Sequence, residues 1–418
     1  MSSKPLRIVI CGAGVAGAIV AHLLADEPNA EVICLERASP DNHSDAGTGL
    51  NVGPNALKTL AAYAPALTER LLAEGVSLPW KSWRTTLTDG TELMNLPLSR
   101  VADNDGIRIR WAELYRQLRA PAQARILFKR IVTAMDYQSP AADARITLTF
   151  QDEAGNAQRL DDIDLLIGAD GRYSLVREHF LGKPRPQSLG VVIFRLLVED
   201  TSGGLIDDYE QWFNGPHRLL AFRVPGNALY IAGTFPIAPG SPITEDMKSV
   251  EHLRGLYTPV GKPASDQARY LIDTICANVA DIHWARIADI NPAFTDVRGR
   301  VLLLGDAAHA MVPTLGQGAT TAIEDACVAG AHIAAALRAG AAVDVPALCR
   351  RIEADRLERV HFVQRFSREA SDSLFPGADP VPLTLKKTQP PFLAKLAQLY
   401  REAPLPEAPA PVRKLALA

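Results

Sequence analysis

Near its N-terminus the chain reads LRIVICGAGVAG, residues 6–17, followed by helix-spaced VAGAIVAHLLADE. A short apolar run of this kind is a buried parallel strand. Its three glycines constrain the connection to the helix. Gly12 permits a tight turn, Gly14 lets backbone approach a pyrophosphate, and Gly17 lets helix and strand pack closely. The free N–H groups at the helix start then face the phosphates. AEVICLER, residues 30–37, is a second strand and ends at Glu36, where a carboxylate suits a ribose hydroxyl pair. This strand–helix–strand unit commits the N-terminus to an α/β fold and points to a dinucleotide.

The 418 residues are too many for one ordinary core and imply about two or three domains. The formal net charge is −3, with no basic stripe and no like-charge block. Nucleic acid and anionic membrane are therefore not expected as partners. The five cysteines, Cys11, Cys34, Cys276, Cys327 and Cys349, are odd in number and scattered, without a C-x-x-C. That pattern argues against a disulfide framework and a zinc site and fits a reducing cytoplasm. No signal peptide and no membrane-spanning stretch is visible.

Along the chain, residues 76–105 read as short strands and turns, and residues 107–119 as a helix centred on WAELYRQL. A hairpin turning at Glu153–Asn156 leads into a buried strand at DLLIGADG, residues 164–171. Residues 186–280 alternate polar and apolar, as in HRLLAFRV and ALYIAGTF, and read as a mostly antiparallel sheet with one face covered. The segments ARIADINPAF and VRGRVLLLGDAAH and an alanine-rich helix over 317–338 return to α/β character. One amphipathic helix, PPFLAKLAQLYREA, precedes a Pro/Ala-rich tail expected to be mobile.

Two further segments carry chemistry. Alone, the stretch ending in Asp170-Gly171, with Ser174 and Arg177 beyond it, is a strand running into a turn. VLLLGDAAHAMVPTLGQGATTAIEDA, residues 301–326, puts Asp306 at the end of an apolar strand, where a carboxylate has no packing value. It suits a polyol. Gly316-Gln317-Gly318 then opens a helix, where small residues admit a flat ring and the positive helix end favours negative charge on it.

These three segments, in this order and spacing, resemble the single-component FAD-dependent aromatic hydroxylases, the group A flavoprotein monooxygenases. The likeness covers roughly residues 6–370, and GTGLNVGPN, residues 47–55, resembles the family loop beside the isoalloxazine. Within the family the chain looks nearest to hydroxylases of hydroxypyridine carboxylates and hydroxybenzoates. The resemblance implies a discontinuous Rossmann-like FAD domain (1–75, 106–185, 281–375), a mostly antiparallel substrate domain (76–105, 186–280) and a C-terminal helical segment (376–418). It implies that Gly12, Gly14, Val15, Ala16 and Gly17 contact the ADP half of FAD, with Glu36 on the ribose, Arg37 beside it and Ile131 at the adenine. Asp170, Gly305 and Asp306 would serve the ribityl–pyrophosphate region. Gly49, Pro313, Gly316, Gln317 and Gly318 would lie by the flavin ring. Where the family has a cofactor-binding arginine before the helix, this chain has Trp111; Arg110 is the candidate replacement, ahead of Arg108.

The implied reaction uses NADH or NADPH, as a transient co-substrate without a Rossmann fold of its own, and O2. A C4a-hydroperoxyflavin hydroxylates an electron-rich ring. Candidate residues on the middle sheet are Arg195, Arg218, Phe222 and Tyr230 for the substrate and Arg223 for catalysis, and an inward arginine among them would clamp a carboxylate. Alternation puts Arg223 and Phe222 on opposite faces. Asn51 stands where hydroxynicotinate-type enzymes carry a histidine, so that base is missing, and Asn51 is read as a hydrogen-bonding residue. His309 is a candidate base by position, although a histidine there is more often structural. Trp80 and Trp83 are read as core. Alternatives are a flavin oxygenase of a larger polyketide, quinolone or antibiotic scaffold, and a catalytically silent flavoprotein. A halogenase is disfavoured because W-x-W-x-I-P is absent. The chain is expected to be a monomer or homodimer.

Overall fold

The computed structural model describes residues 4–40, 48–238, 240–340 and 342–405. A five-stranded parallel sheet runs in the order Val301–Leu303, Leu165–Gly168, Leu6–Cys11, Ala30–Leu35, Ile126–Leu127. Its register explains the chemistry. Cys11 lies beside Gly168, and Gly168 beside Leu303. Three strands far apart in sequence therefore end in one row, and the turn after each starts at the same level. Backbone bonds extend this row: Ala169 N–H donates to Cys11 at 2.8 Å and Leu304 N–H to Gly168 at 3.0 Å. Helices Val15–Leu23 and Gln317–Arg338 pack on the sheet, where a methyl on Gly330 would meet Leu23 at 2.6 Å. Parallel strands need covered faces, hence the near-unbroken apolar runs Ile8–Ile10 and Leu165–Ile167, all fully buried.

The second large unit is a seven-stranded sheet in the order His283–Asp289, Gln187–Glu199, Ala228–Pro236, His217–Val224, Tyr209–Asn214, Ser82–Leu87, Glu92–Pro97. One face presents Phe194, Leu196, Trp212, Leu219 and Ile231 to helices Val250–Tyr257 and Asp266–Ala277. The alternate residues look toward the parallel sheet, as a period of two requires. A three-stranded sheet, Gly49–Val52, Gly106–Arg110 and Leu78–Trp80, bridges the two units. A second one, Ala157–Ile163, Ile146–Gln151 and Ile131–Tyr137, flanks the parallel sheet.

Four sequence expectations are corrected. Residues 107–110 are strand, because buried Ile107 and Ile109 repeat every two residues; the helix begins at Trp111. Residues 250–277 form two helices rather than sheet. Ser249 and Ser265 cap them by accepting the N–H of His252 and Ala268, at 3.1 and 3.2 Å. The segment His283–Asp289 joins the antiparallel sheet, pairing with Gln187–Glu199. The C-terminal region holds two helices, Pro380–Lys387 and Pro390–Arg401. Both pack back on the molecule: Phe392, Leu396, Leu399 and Tyr400 share a core with Trp80, Trp83, Tyr209 and Phe222. The end of the tail, residues 406–418, and Gly47 lie outside the described residues. No described helix is long and apolar enough to cross a membrane.

Candidate active site

A continuous cleft follows the carboxyl ends of the parallel strands and continues beneath the seven-stranded sheet. Gly14, Tyr115, Ala169 and Gly171 border both of its halves. The first half is lined by Gly12, Glu36, Arg37, Arg119, Arg130, Ile131 and Asp170. Glu36 is fixed by two backbone donors, Ala13 N–H at 2.7 Å and Ala38 N–H at 2.8 Å. Arg119 donates from Nε to the Ala13 carbonyl at 2.7 Å and stacks over the Tyr115 ring at 4.8 Å. Its Nη1 is buried without a partner. Asp170 borders the cleft, but its carboxylate caps the helix Leu175–Leu181, accepting from Ser174 Oγ at 2.6 Å and from Leu175 N–H at 2.8 Å. Burial raises its pKa, against those hydrogen bonds.

The glycines divide by role. A methyl on Gly17 would lie 1.9 Å from the Gly12 carbonyl oxygen, so Gly17 belongs to the helix–strand contact and not to the cleft wall. A methyl on Gly14 would meet only the Ala169 carbonyl, at 3.8 Å; the rest of its surroundings is the open cleft. Gly12, at φ 95°, takes a turn that other residues rarely adopt.

The second half is lined by Val15, Ala16, Gly49, Asn51, Trp111, Arg172, Gly305, Asp306, Met311, Pro313, Gly316 and Gly318. Asp306 stands open to the cavity yet is enclosed by protein, and this burial raises its carboxyl pKa, with His309 and Arg172 opposing. Gly316, at φ 65°, turns the chain into the helix Gln317–Arg338, whose first N–H groups have no intrahelical partner. Gln317 is not part of the wall. It is buried and bonded to the Leu315 carbonyl and to Asn55. Asn51 is 7% exposed, and neither its amide nitrogen nor its oxygen has a partner among the described residues.

The roof is the seven-stranded sheet, and its register orders the side chains. Phe222, Tyr230 and Leu197 form one row; a methyl on Gly49 would touch Tyr230 at 2.9 Å. Leu220, Ala232 and Arg195 form the next row, and Arg218, Thr234 and Ile193 the one after. Successive rows on one face lie about 7 Å apart. The aromatic row therefore borders Gly49, and the arginines lie progressively farther from it. Arg218 is 3% exposed and has no ion pair among the described residues; burial lowers its pKa, against Tyr209, Tyr230 and Tyr257. Tyr230 is pushed up to about 12 by burial, which Arg195 partly offsets. Four arginines, Arg172, Arg195, Arg218 and Arg286, border this half of the cleft against one carboxylate, Asp306.

Besides Gly17 and Gln317, three sequence candidates lie elsewhere. Arg223 turns to the opposite face and pairs with Asp200 at 2.9 Å, so it is no clamp in this cavity. His309 is fully buried, with Nε2 2.5 Å from Asp325, and does not border the cleft. Arg110 is exposed and borders neither half. The cationic place beside Gly14 is taken instead by Arg119, which sequence reasoning missed together with Tyr115, Arg172 and Tyr209. Tyr115 and Arg119 sit four residues apart on one helix, a spacing that marks a shared face.

An extended dinucleotide fits these residues: open backbone at Gly14, Arg119 beside it with its Nη1 unpartnered although the same guanidinium bonds the Ala13 carbonyl and stands 3.6 Å from Glu36, Asp306 facing the cavity, and free helical N–H groups at Gly316–Gly318. Fold and cleft together define a flavin-dependent oxidoreductase of the Rossmann type. A family model described as FAD binding domain matches residues 264–367. A 6-hydroxynicotinate 3-monooxygenase of Pseudomonas fluorescens is 30% identical over 387 residues, covering 88% of this chain and 92% of that one. A 3-amino-4-hydroxybenzoate 2-monooxygenase of Streptomyces platensis is 29% identical, covering 88% of each. The crystal structure of Klebsiella pneumoniae HpxO with FAD and uric acid superposes with a TM-score of 0.76 at 23% identity, over 96% of this chain and 97% of that one. The chain belongs to the FAD-dependent aromatic hydroxylases, the family that its motifs resemble. It is an NAD(P)H- and oxygen-using flavin monooxygenase.

Proposed function

We propose that this chain hydroxylates a small planar aromatic or N-heteroaromatic ring that carries an anionic group, of the hydroxypyridine-carboxylate or hydroxybenzoate type. The carrying observation is Arg218: a buried guanidinium without a counter-ion, facing a slot of aromatic side chains. An unpaired buried charge is costly, and a substrate anion offsets that cost. The relatives that act on hydroxynicotinate and aminohydroxybenzoate support the same class.

Bound FAD supplies reduction by NADH or NADPH and the delivery of one oxygen atom from O2. This chain's residues do the rest. Arg195 and Arg218 bind and orient the anionic group by charge-assisted hydrogen bonds. Phe222, Tyr230, Leu220 and Tyr209 hold the ring and exclude water. Asn51 offers one donor pair and one acceptor to a ring substituent. Pro313 and Gly316 leave space for the flavin edge. No histidine, lysine, cysteine or glutamate is among the residues bordering this half of the cleft, so ring activation relies on the arginines' positive charge. The location proposed is the cytoplasm, and the assembly a monomer or homodimer.

The test is NADH and NADPH oxidation in air by the FAD-loaded protein, with hydroxypyridine carboxylates, hydroxybenzoates and bulkier uncharged phenols, each mixture followed by mass spectrometry. Stimulation by a ring acid, with a product heavier by one oxygen, is expected. Stimulation by the uncharged phenols alone would overturn the ring-acid reading.

A further inference from the structure

Behind the flavin-side turn lies a group of buried charges that the reaction above does not use. Asp325, on the helix Gln317–Arg338, is fully buried. Its Oδ2 accepts the Gly305 N–H at 3.0 Å and His309 Nε2 at 2.5 Å; its Oδ1 accepts Arg356 Nε at 2.8 Å. Gly305 is held at φ 59°, and a methyl there would press on Ala322 at 3.0 Å. The turn thus depends on where its one N–H points, and the next residue is Asp306, which faces the cavity. A carboxylate accepting three donors has no spare tolerance for a donor in its place. Burial opposes its ionisation, but His309 and Arg356 overcome this and hold it down at about 2, so it is an anion throughout the working pH range.

We infer that Asp325 is the positioning residue of the flavin half of the site, setting the Gly305–Asp306 turn from behind through the Gly305 N–H and His309. It touches neither substrate nor flavin and acts only through the turn. None of its hydrogen bonds reaches Gly12, Gly14, Glu36 or Arg119. The adenosine half of the cleft is therefore an internal control.

The experiment compares Asp325→Asn with wild type, titrating the full chain with FAD by flavin fluorescence and, separately, with ADP by calorimetry. FAD binding is expected to weaken at least tenfold while ADP binding stays within twofold. An equal loss of both ligands, or of neither, overturns the inference. Because Asp325→Asn removes a buried charge and can fail to fold, His309→Ala and His309→Gln form a second pair. His309→Ala is expected to weaken FAD alone, several-fold, and His309→Gln, which restores an N–H donor, to recover it. FAD affinity unchanged in both would also overturn the inference.

Discussion

Arg218 combines two properties that usually exclude one another. It is buried, and among the described residues it has no acidic partner. Its surroundings are tyrosines and, farther off, the ammonium of Lys387, so no carboxylate among the described residues offsets its desolvation. Such a group is a cost to the fold that function explains. Arg218→Gln is therefore expected to melt at or above the wild-type temperature. A charge-assisted bond is worth roughly 1.5–3 kcal/mol, so KM for a ring acid should rise about 10- to 100-fold, with a smaller effect on kcat. Calorimetric melting and steady-state kinetics on the same preparations decide it. A variant that is both less stable and unchanged in KM would assign Arg218 to structure. Arg223, five residues on, shows the contrast: it has Asp200 at 2.9 Å and stands on the outer face, where truncation should leave KM alone.

At the scale of elements, the site is a consequence of register. Cys11, Gly168 and Leu303 share one level, so three strand-end turns open on one cleft. Each turn was readable in the sequence because a strand, its glycine and the following helix are neighbours along the chain. The helix Gln317–Arg338 was legible to its ends for the same reason. What could not be read depends on orientation between elements. Period two separates Phe222 from Arg223 but does not say which face meets the flavin. Nothing local announces that His309 is matched to an acid sixteen residues later, or that the face of Trp111–Arg119 carrying Tyr115 and Arg119 turns to Gly14. Local glycine geometry does yield a sharp test. Gly14→Ala puts a methyl into open cleft and Gly17→Ala puts one into the Gly12 carbonyl. The first is expected to keep its melting temperature without ligand and lose FAD; the second is expected to lose both. Equal melting of the two variants would contradict this division of roles.

At the scale of the whole molecule, the C-terminal helices are part of the wall behind the substrate rather than an appendage. Tyr400 meets Trp80 at 6.3 Å between ring centres, Trp80 meets Tyr209 at 5.5 Å, and Tyr209 stacks on Phe222 at 5.9 Å, which borders the cleft. Below them Lys387 donates to the Ala370 carbonyl at 2.8 Å and to Ser373 Oγ at 3.0 Å. Ser371, in the same turn, bonds Thr314 at 2.5 Å, beside Pro313. The sequence left two roles open for this segment, packing back or a contact with a second chain, because an amphipathic stripe does not name what it covers. Its core contacts settle the first. Phe392, Leu396, Leu399 and Tyr400 are all buried, at about 1.5–3 kcal/mol for each such side chain. Together they rival the roughly 5–15 kcal/mol that a folded chain has in hand. Removing residues 376–418 is therefore expected to give a chain that is insoluble or cannot retain FAD. The milder Tyr400→Ala should stay folded, melt lower, and bind ring acids more weakly while FAD binding holds, since its ring supports Tyr209 and not the dinucleotide cleft. A truncated chain that stays soluble, keeps FAD and melts within a few degrees of the full chain would show that the wall stands without these helices, and the segment's burial would then need a different explanation.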